Sequence, residues 1–526
     1  MGTGMFRIIM VLLWTLGGLI VAFGLFNGDY ALVLVGGVCF VIPLFLPMVV
    51  ILINRIPQSG PKKPVKSPAQ IARQRAEGQW AKAEDLDGRK MFDAKPSVIL
   101  GRWGMEKKAL GAVACSRLMT FGNNADDYYR SAAVPNALLH PGNLFVYERS
   151  GAIFRAIRER REKMGQHVFV VDPFGQTGST ASTFNPLEFI RHQGEGLVAD
   201  AGMIADLLLA PSYVSDLDTH EARTARTLLQ GFIIFTVQKA LTENRNLAEV
   251  RRNLVMQSHR FYKILEELMN IETADGRISE IALTILDMTE DQRMSIVNAC
   301  RAATAIFDNP AIARSISSSS FAPNALLEKP VSLFIVGHSN EEEAGTLAAF
   351  GRVLLGTMLS VIEKRSFKSG DPDYLVLLDG IEELGRLPMF ERMLGGALAD
   401  GITVWTCLSG VSGLMDVCHN WENIVGRSDV IQVFGQDGAF DLDWVAGLTA
   451  MSRFEDTGGA GADRNSPVHL RPRDNQPILK STEVARFPSE EQILFRKGVP
   501  PIRAWRIDWY HDEIFRGMAV HAPTFN

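Results

Sequence analysis

The sequence predicts an α/β fold. A doubly wound parallel sheet is interrupted by an all-helical insertion and preceded by a two-helix membrane anchor. Three observations carry this. Tyr374–Leu378 is a short, continuously apolar run ending in Asp379, the pattern of a strand buried on both faces whose carboxyl end meets a ligand-binding rim. Residues 197–313 lose that pattern and repeat apolar residues at helical spacing, almost without proline. Phe6–Phe26 and Ala31–Ile53 are two apolar runs, each long enough to span a bilayer as a helix.

The bounds agree. The chain has 526 residues, enough for two or three domains with their own cores. A formal net charge of −5 excludes coating of nucleic acid by bulk charge, while local basic patches and DNA contact stay open. The five cysteines, Cys39, Cys115, Cys300, Cys407 and Cys418, form no CxxC pair, which argues for a reducing compartment and against zinc. Cys407, Cys418 and His419 read as core thiols beside a histidine, because one strand and a distant helix do not give ligand spacing. Glu341-Glu342-Glu343, following His338, reads as a solvated helix start favoured by the helix dipole. No metal site is expected.

Residues 1–55 form the expected anchor. Asn27–Tyr30 is a turn, and Pro43 and Pro47 are tolerated in a membrane helix. A cleaved signal peptide fits less well, since the first run is long and a second one follows. The hairpin has no Lys or Arg, whereas Arg55, Lys62, Lys63, Lys66, Arg73 and Arg75 follow the second run, so both termini are expected in the cytoplasm at a bacterial inner membrane. Residues 56–95 are a basic linker, Pro- and Lys-rich over Pro57–Pro68, with a helix expected over Gln70–Lys90.

Residues 96–195 carry the first part of the sheet domain, with strands expected at Leu118–Phe121, Leu144–Tyr147 and Val168–Val171 around a basic helix, Gly151–Met164. Residues 196–328 are the helical insertion, with helical periodicity over Ala199–Leu209, Ala222–Leu241, Phe261–Met269, Ile278–Met288 and Met294–Phe307. Residues 329–526 complete the sheet with Val331–Gly337, Tyr374–Leu378, Thr403–Leu408 and Val430–Phe434. A Gly-, Arg- and Asp-rich loop over Thr457–Gln476 and a strand within Pro501–Tyr510 follow.

Several motifs in this order resemble the coupling proteins of conjugation and type IV secretion, the TraG/TraD class. They are Asp172-Pro173-Phe174, Phe184-Asn185-Pro186-Leu187, Phe307-Asp308-Asn309-Pro310, Leu377-Leu378-Asp379, Leu384-Gly385-Arg386-Leu387-Pro388, Gly401-Ile402 and the closing segment Pro477–Ile493. The resemblance covers most of the chain. It implies a RecA/FtsK-like P-loop ATPase fold, a membrane anchor, a ring of homo- or hetero-oligomeric make-up, and a relaxase–DNA complex or protein effector as cargo.

The resemblance also says where ATP and Mg²⁺ would sit, and there the sequence departs from the pattern. A P-loop uses glycines to bring backbone N–H groups onto phosphate, a lysine to neutralise it and a hydroxyl to hold Mg²⁺. Counting back from Val134-Pro135-Asn136-Ala137-Leu138 puts that loop at Gly122, Asn123, Asn124, Ala125, Asp126, Asp127, Tyr128 and Tyr129. Tyr128 takes the lysine position and Tyr129 the hydroxyl position, with two carboxylates beside the phosphate path. Glu148-Arg149-Ser150-Gly151-Ala152 keeps only the acid and the glycine of a second motif. At the Walker B position Asp379 survives, but Gly380 replaces the glutamate that positions water, and Ser409 replaces the sensor glutamine. The expectation is a degenerate nucleotide site without a catalytic set or cofactor, in a scaffold or substrate receptor of the secretion machinery that partners an active coupling ATPase. The alternative is a divergent ATPase using ATP and Mg²⁺, alone or in a mixed ring.

Overall fold

The computed structural model describes scattered positions between residues 15 and 33, then residues 80–93, 96–210, 219–256, 258–271, 276–322, 330–337, 341–364, 373–450 and 477–518. The chain divides into two compact units, Met1–Arg73 and Gln74–Asn526. In the first, most of the few described positions are helical. The two expected membrane runs lie largely outside the described residues, as do the 457–476 loop and most of the 56–95 linker. Among the described residues no helix is long and apolar enough to cross a membrane.

The second unit is built on one eleven-stranded sheet. Its strands are β1 (Val98–Trp103), β2 (Lys108–Ala112), β3 (Arg117–Phe121), β4 (Asn143–Glu148), β5 (His167–Val171), β6 (Val331–Val336), β7 (Tyr374–Asp379), β8 (Ile402–Leu408), β9 (Val430–Val433), β10 (Glu491–Arg496) and β11 (Ile502–Trp505). Their order is β2-β1-β11-β10-β9-β3-β8-β7-β4-β6-β5. From β9 to β5 every pairing is parallel. The other four strands pair antiparallel. The sheet is therefore mixed, which corrects the expectation of a parallel one. The short links β1–β2 and β10–β11 permit only antiparallel hairpins, whereas each parallel pair needs a crossover.

Burial explains why the central strands are apolar throughout. In β7, Leu375 and Leu377 enter one core while Tyr374, Val376 and Leu378 enter the other. Adjacent residues point to opposite faces, so a strand covered on both sides cannot alternate apolar with polar.

Among the described residues the insertion runs between β5 and β6 as seven α-helices, from Gly194–Leu209 to Pro310–Ser315. Four of its helix starts are capped by side chains: Thr219 accepts from Ala222 N, Asn246 from Glu249 N, Thr289 from Gln292 N and Asn309 from Ala311 N and Ile312 N. Phe232, Leu268 and Ile285 of the insertion share one continuous core with Val376 and Leu378 of the sheet. Arg352, on the helix Glu341–Glu363, clamps the junction by donating to Leu207 O at 2.8 Å and Leu384 O at 2.7 Å.

Candidate functional site

The carboxyl ends of β3, β8, β7 and β4 form one edge, where an α/β sheet of this topology binds ligands. The ladder sets Asp379 opposite Cys407, and Cys407 opposite Thr120. Asp379 therefore lies two strand spacings, about 10 Å, from the end of β3. The loop after β3 and the strand-end aspartate are brought to one edge, as the motif spacing predicts.

The loop itself differs from the sequence expectation. Residues 122–129 are not an eight-residue loop. Asn124 caps a helical turn, Ala125–Tyr128, by accepting from Asp126 N at 2.9 Å. Only Gly122, Asn123 and Asn124 remain between strand and helix. Four amides are already engaged: Gly122 N with Leu408 O, Asn123 N with Gly435 O, Asp126 N with the Asn124 side chain and Asp127 N with Asn124 O. A phosphate cradle needs such N–H groups free.

The helix continues through a π-type turn, Tyr129–Ala133, in which Val134 N bonds back to Tyr129 O. The next residue, Pro135, has no N–H and would crowd the carbonyl four residues earlier, and the wider turn absorbs that conflict. Tyr128 and Tyr129 consequently point into the core rather than toward a ligand. The Tyr128 hydroxyl has no hydrogen-bond partner among the described residues, and burial pushes its phenol well above the ordinary range.

The two carboxylates beside the loop are also committed. Arg506 pairs with Asp127 at 2.7 Å, and its guanidinium stacks 4.3 Å from the centre of the Phe434 ring. Arg130 lies 3.8 Å from Asp126 and 2.9 Å from Asp508. Arg506, Asp508 and Trp509 thus lie against the helical turns after the loop, and Trp509 meets Tyr129 edge-on with ring centres 6.3 Å apart. The expected repulsion between free carboxylates and a ligand is replaced by ion pairs within the chain.

At the other end of the edge, Arg149 follows β4. Its guanidinium lies 3.4 Å from Asp379 Oδ1 and 2.9 Å from Glu383 Oε1. The neighbouring Asp379 holds this guanidinium well above its already high ordinary pKa, so it stays charged. Burial pushes the Asp379 carboxyl up, and Arg149 opposes the shift. Gly380 has φ +68°, a left-handed conformation that suits glycine. Ser409 N donates to Glu382 Oε1 at 2.9 Å, and Ser409 O accepts from the Gln436 side chain at 3.1 Å. The sensor position is therefore tied into the protein on both sides.

Glu148, the acid kept from the second motif, is buried and accepts from Ile153 N at 2.7 Å and Phe154 N at 2.9 Å, anchoring the helix Ala152–Lys163. Burial pushes its carboxyl up to about 7 against those two bonds. The unfolded value is about 4.3, so the folded protein binds this proton more tightly. The contribution is full below the unfolded value and is lost as pH rises through about 7. Wild-type stability is expected to fall by about 3 kcal/mol over that window because of this group, and Glu148→Gln should flatten the slope. Urea denaturation of both proteins across the window checks it; an unchanged slope in the variant would assign the effect elsewhere.

Three residues that shape the site were not singled out from sequence: Arg506, Gln436 and Glu382. Arg149 stood there only as a departure from a motif. Charge partners supplied by distant strand ends leave no periodic or spacing signal.

Comparison with known proteins gives consistent matches. The family described as Type IV secretory system Conjugative DNA transfer matches residues 130–414. A conjugal transfer protein TraG of Rhizobium radiobacter is 24% identical over 410 residues, covering 76% of this chain and 63% of its own length. A conjugal transfer protein TraG of Agrobacterium fabrum (strain C58 / ATCC 33970) is 23% identical over 484 residues, covering 84% of this chain and 72% of its own length. The chain thus spans 63% to 72% of these relatives. Among solved structures, the bacterial conjugative coupling protein TrwBdeltaN70 in complex with sulphate superposes with a TM-score of 0.59 at 12% identity, covering 82% of this chain and 93% of that one. The plasmid coupling protein TrwB in complex with ADP and Mg²⁺ gives 0.58 at 12% identity, covering 82% and 94%. At such identity the likeness is one of fold.

Proposed function

The chain belongs to the Type IV secretory system Conjugative DNA transfer family, and from that premise we propose that it is a coupling-protein component of a conjugative or type IV secretion system that works without turning over ATP. It acts as a scaffold or substrate receptor, held at the bacterial inner membrane by residues 1–55 with both termini cytoplasmic. Its partners are the secretion machinery, an active coupling ATPase and a relaxase–DNA complex or protein effector, in a homo- or hetero-oligomeric ring.

One observation carries the non-hydrolysing part: the chain's own groups fill the edge that Mg-ATP would use. The loop after β3 is three residues long with four neighbouring amides already bonded, Tyr128 is buried where a lysine would be needed, and Arg149 lies against Asp379. Mg-ATP does not fit these residues, and no step is derived through it. Phosphoryl transfer depends on positioning and charge neutralisation together, so the loss of several parts is not compensated by the survival of one. The insertion, with its own capped helices, offers a surface for cargo or a partner subunit.

The divergent-ATPase reading has one observation in its favour. Asp379 keeps its place at the end of β7, about 10 Å from the loop. Titration calorimetry and phosphate release on the purified full-length chain separate the two readings. The expected result is neither Mg-ATP binding in the micromolar range nor hydrolysis, and micromolar binding would replace the first reading by the second. The same chain should fractionate with membranes, need detergent for release, and co-purify with a secretion ATPase or its cargo.

A further inference from the structure

Arg149 and Gly380 are sterically and electrostatically one unit. The geometry points to Arg149 as a resident cation: it permanently supplies the positive charge beside Asp379 and fills the space that a side chain after Asp379 would need. This rests on the non-hydrolysing reading and deepens it, by naming what replaced the ligand.

Charge is the first line of argument. The guanidinium bridges Asp379 and Glu383 at 3.4 and 2.9 Å. The Asp379 carboxylate has no other hydrogen-bond partner among the described residues. A divalent ion bound to Asp379 would sit within a few ångströms of a fixed like charge, in a partly buried site where screening is weak.

Space is the second, independent line. A Cβ built on Gly380 would lie 2.6 Å from both Cδ and Nε of Arg149 and 3.0 Å from Cζ. Held in place by Asp379 and Glu383, the Arg149 side chain lies over the α-carbon of residue 380 and leaves no room there for a water-positioning carboxylate. The guanidinium is held at its tip by Asp379 and Glu383, and the backbone on either side of Arg149 is fixed. Glu148 is buried and bonded to Ile153 and Phe154, and Gly151, at φ +71°, leads into the helix. The glycine at 380 and the arginine at 149 are therefore a matched exchange rather than two separate losses.

The test uses the full-length chain and Mn²⁺ alone, read by electron paramagnetic resonance. Wild type is expected to show no Mn²⁺ binding that Asp379→Asn abolishes. Arg149→Met leaves Asp379 and Glu383 without their cation and is expected to gain such binding, tighter by about tenfold or more. Arg149→Lys, which keeps a charge, should gain little. Wild type binding Mn²⁺ through Asp379 as tightly as Arg149→Met, or no gain in that variant, would overturn the inference. A thermal-melt cycle adds a second readout: Gly380→Ala should lower the midpoint less in an Arg149→Ala background than in wild type. Phosphate release separates this inference from the reading beneath it. Should wild type hydrolyse ATP while Arg149→Met keeps the rate and gains Mn²⁺, the non-hydrolysing reading falls and the resident cation stands. Hydrolysis that Arg149→Met abolishes would overturn both, since Arg149 would then serve the nucleotide.

Discussion

Tyr128→Lys is expected to destabilise the protein by about 4 kcal/mol or more and to leave ATP hydrolysis absent. From sequence alone this substitution looks like a restoration, because it returns a lysine to the P-loop position. The structure gives it a different meaning. Tyr128 closes the first turn of a continuous helix, only 1% exposed, packed in the core that also holds Leu118, Ala132, Trp405 and Cys407. Replacing the ring removes aromatic packing and brings an ammonium group into that core. Asp379, a carboxylate whose field reaches Tyr128, is already engaged by Arg149. Tyr128→Phe is the control: it removes a buried hydroxyl that has no partner among the described residues and should change stability by less than about 1 kcal/mol. Urea denaturation and phosphate release on the three proteins decide the matter. A lysine variant as stable as wild type that binds Mg-ATP would show that the helix can unwind into a phosphate loop.

The same residues show what the sequence made legible. Tyr374–Leu378, Val331–Gly337 and Thr403–Leu408 are short apolar runs between turn signals, and each carries an interior strand of the sheet, because a strand covered on both faces must be apolar at every position. Five helices of the insertion announce themselves through periodicity; Leu247–Val255, whose nine residues carry two arginines, and Pro310–Ser315, with six residues, have too few turns to stand out. β1, β2 and β10 were missed. β1 and β2 are glycine-containing and partly polar, and β1 finds its partner across nearly the whole chain, with Arg102 opposite Trp505. At the site, a helix-start signal was present. Asn124 followed by Asp126 and Asp127 is a capping residue with acids in the first turn, and the motif alignment overrode it. The ion pairs of Arg149 and Arg506 were beyond reach, because they are made by topology rather than by spacing.

Arg161→Met is expected to cost about 3–5 kcal/mol, far more than the loss of any surface ion pair in the same helix. Arg161 is fully buried on the helix Ala152–Lys163. It donates to Ser332 Oγ at 2.8 Å, Gln166 Oε1 at 2.6 Å, Gly142 O at 2.6 Å, Ala137 O at 3.2 Å and His140 O. None of these partners is a carboxylate, so the positive charge is solvated by neutral oxygens, which together play the part of water. Burial pushes its pKa down to about 10, which still leaves it charged at neutral pH. A methionine fills much of the volume but removes the guanidinium from all five oxygens. Gly142 O keeps the Gln166 side chain and Gln166 Oε1 keeps Ser332 Oγ as donors, while Ala137 O and His140 O lose the guanidinium outright, and each buried orphan costs about 1–3 kcal/mol before relaxation. Arg161→Lys should fall between, since one ammonium group cannot reach all five. Arg158→Met supplies the contrast. Its pair with Glu162 is nearly half exposed on both sides, and its loss should cost less than about 1 kcal/mol. The damage in Arg161→Met should also reach the candidate site. The acceptors lie on the helix and loop before β4, just before β5 and on β6, and the same helix begins at the turn that carries Glu148 and Arg149. Urea denaturation of the three variants checks the ranking, and an Arg161→Met loss under about 1 kcal/mol would mean that water takes over the five acceptors.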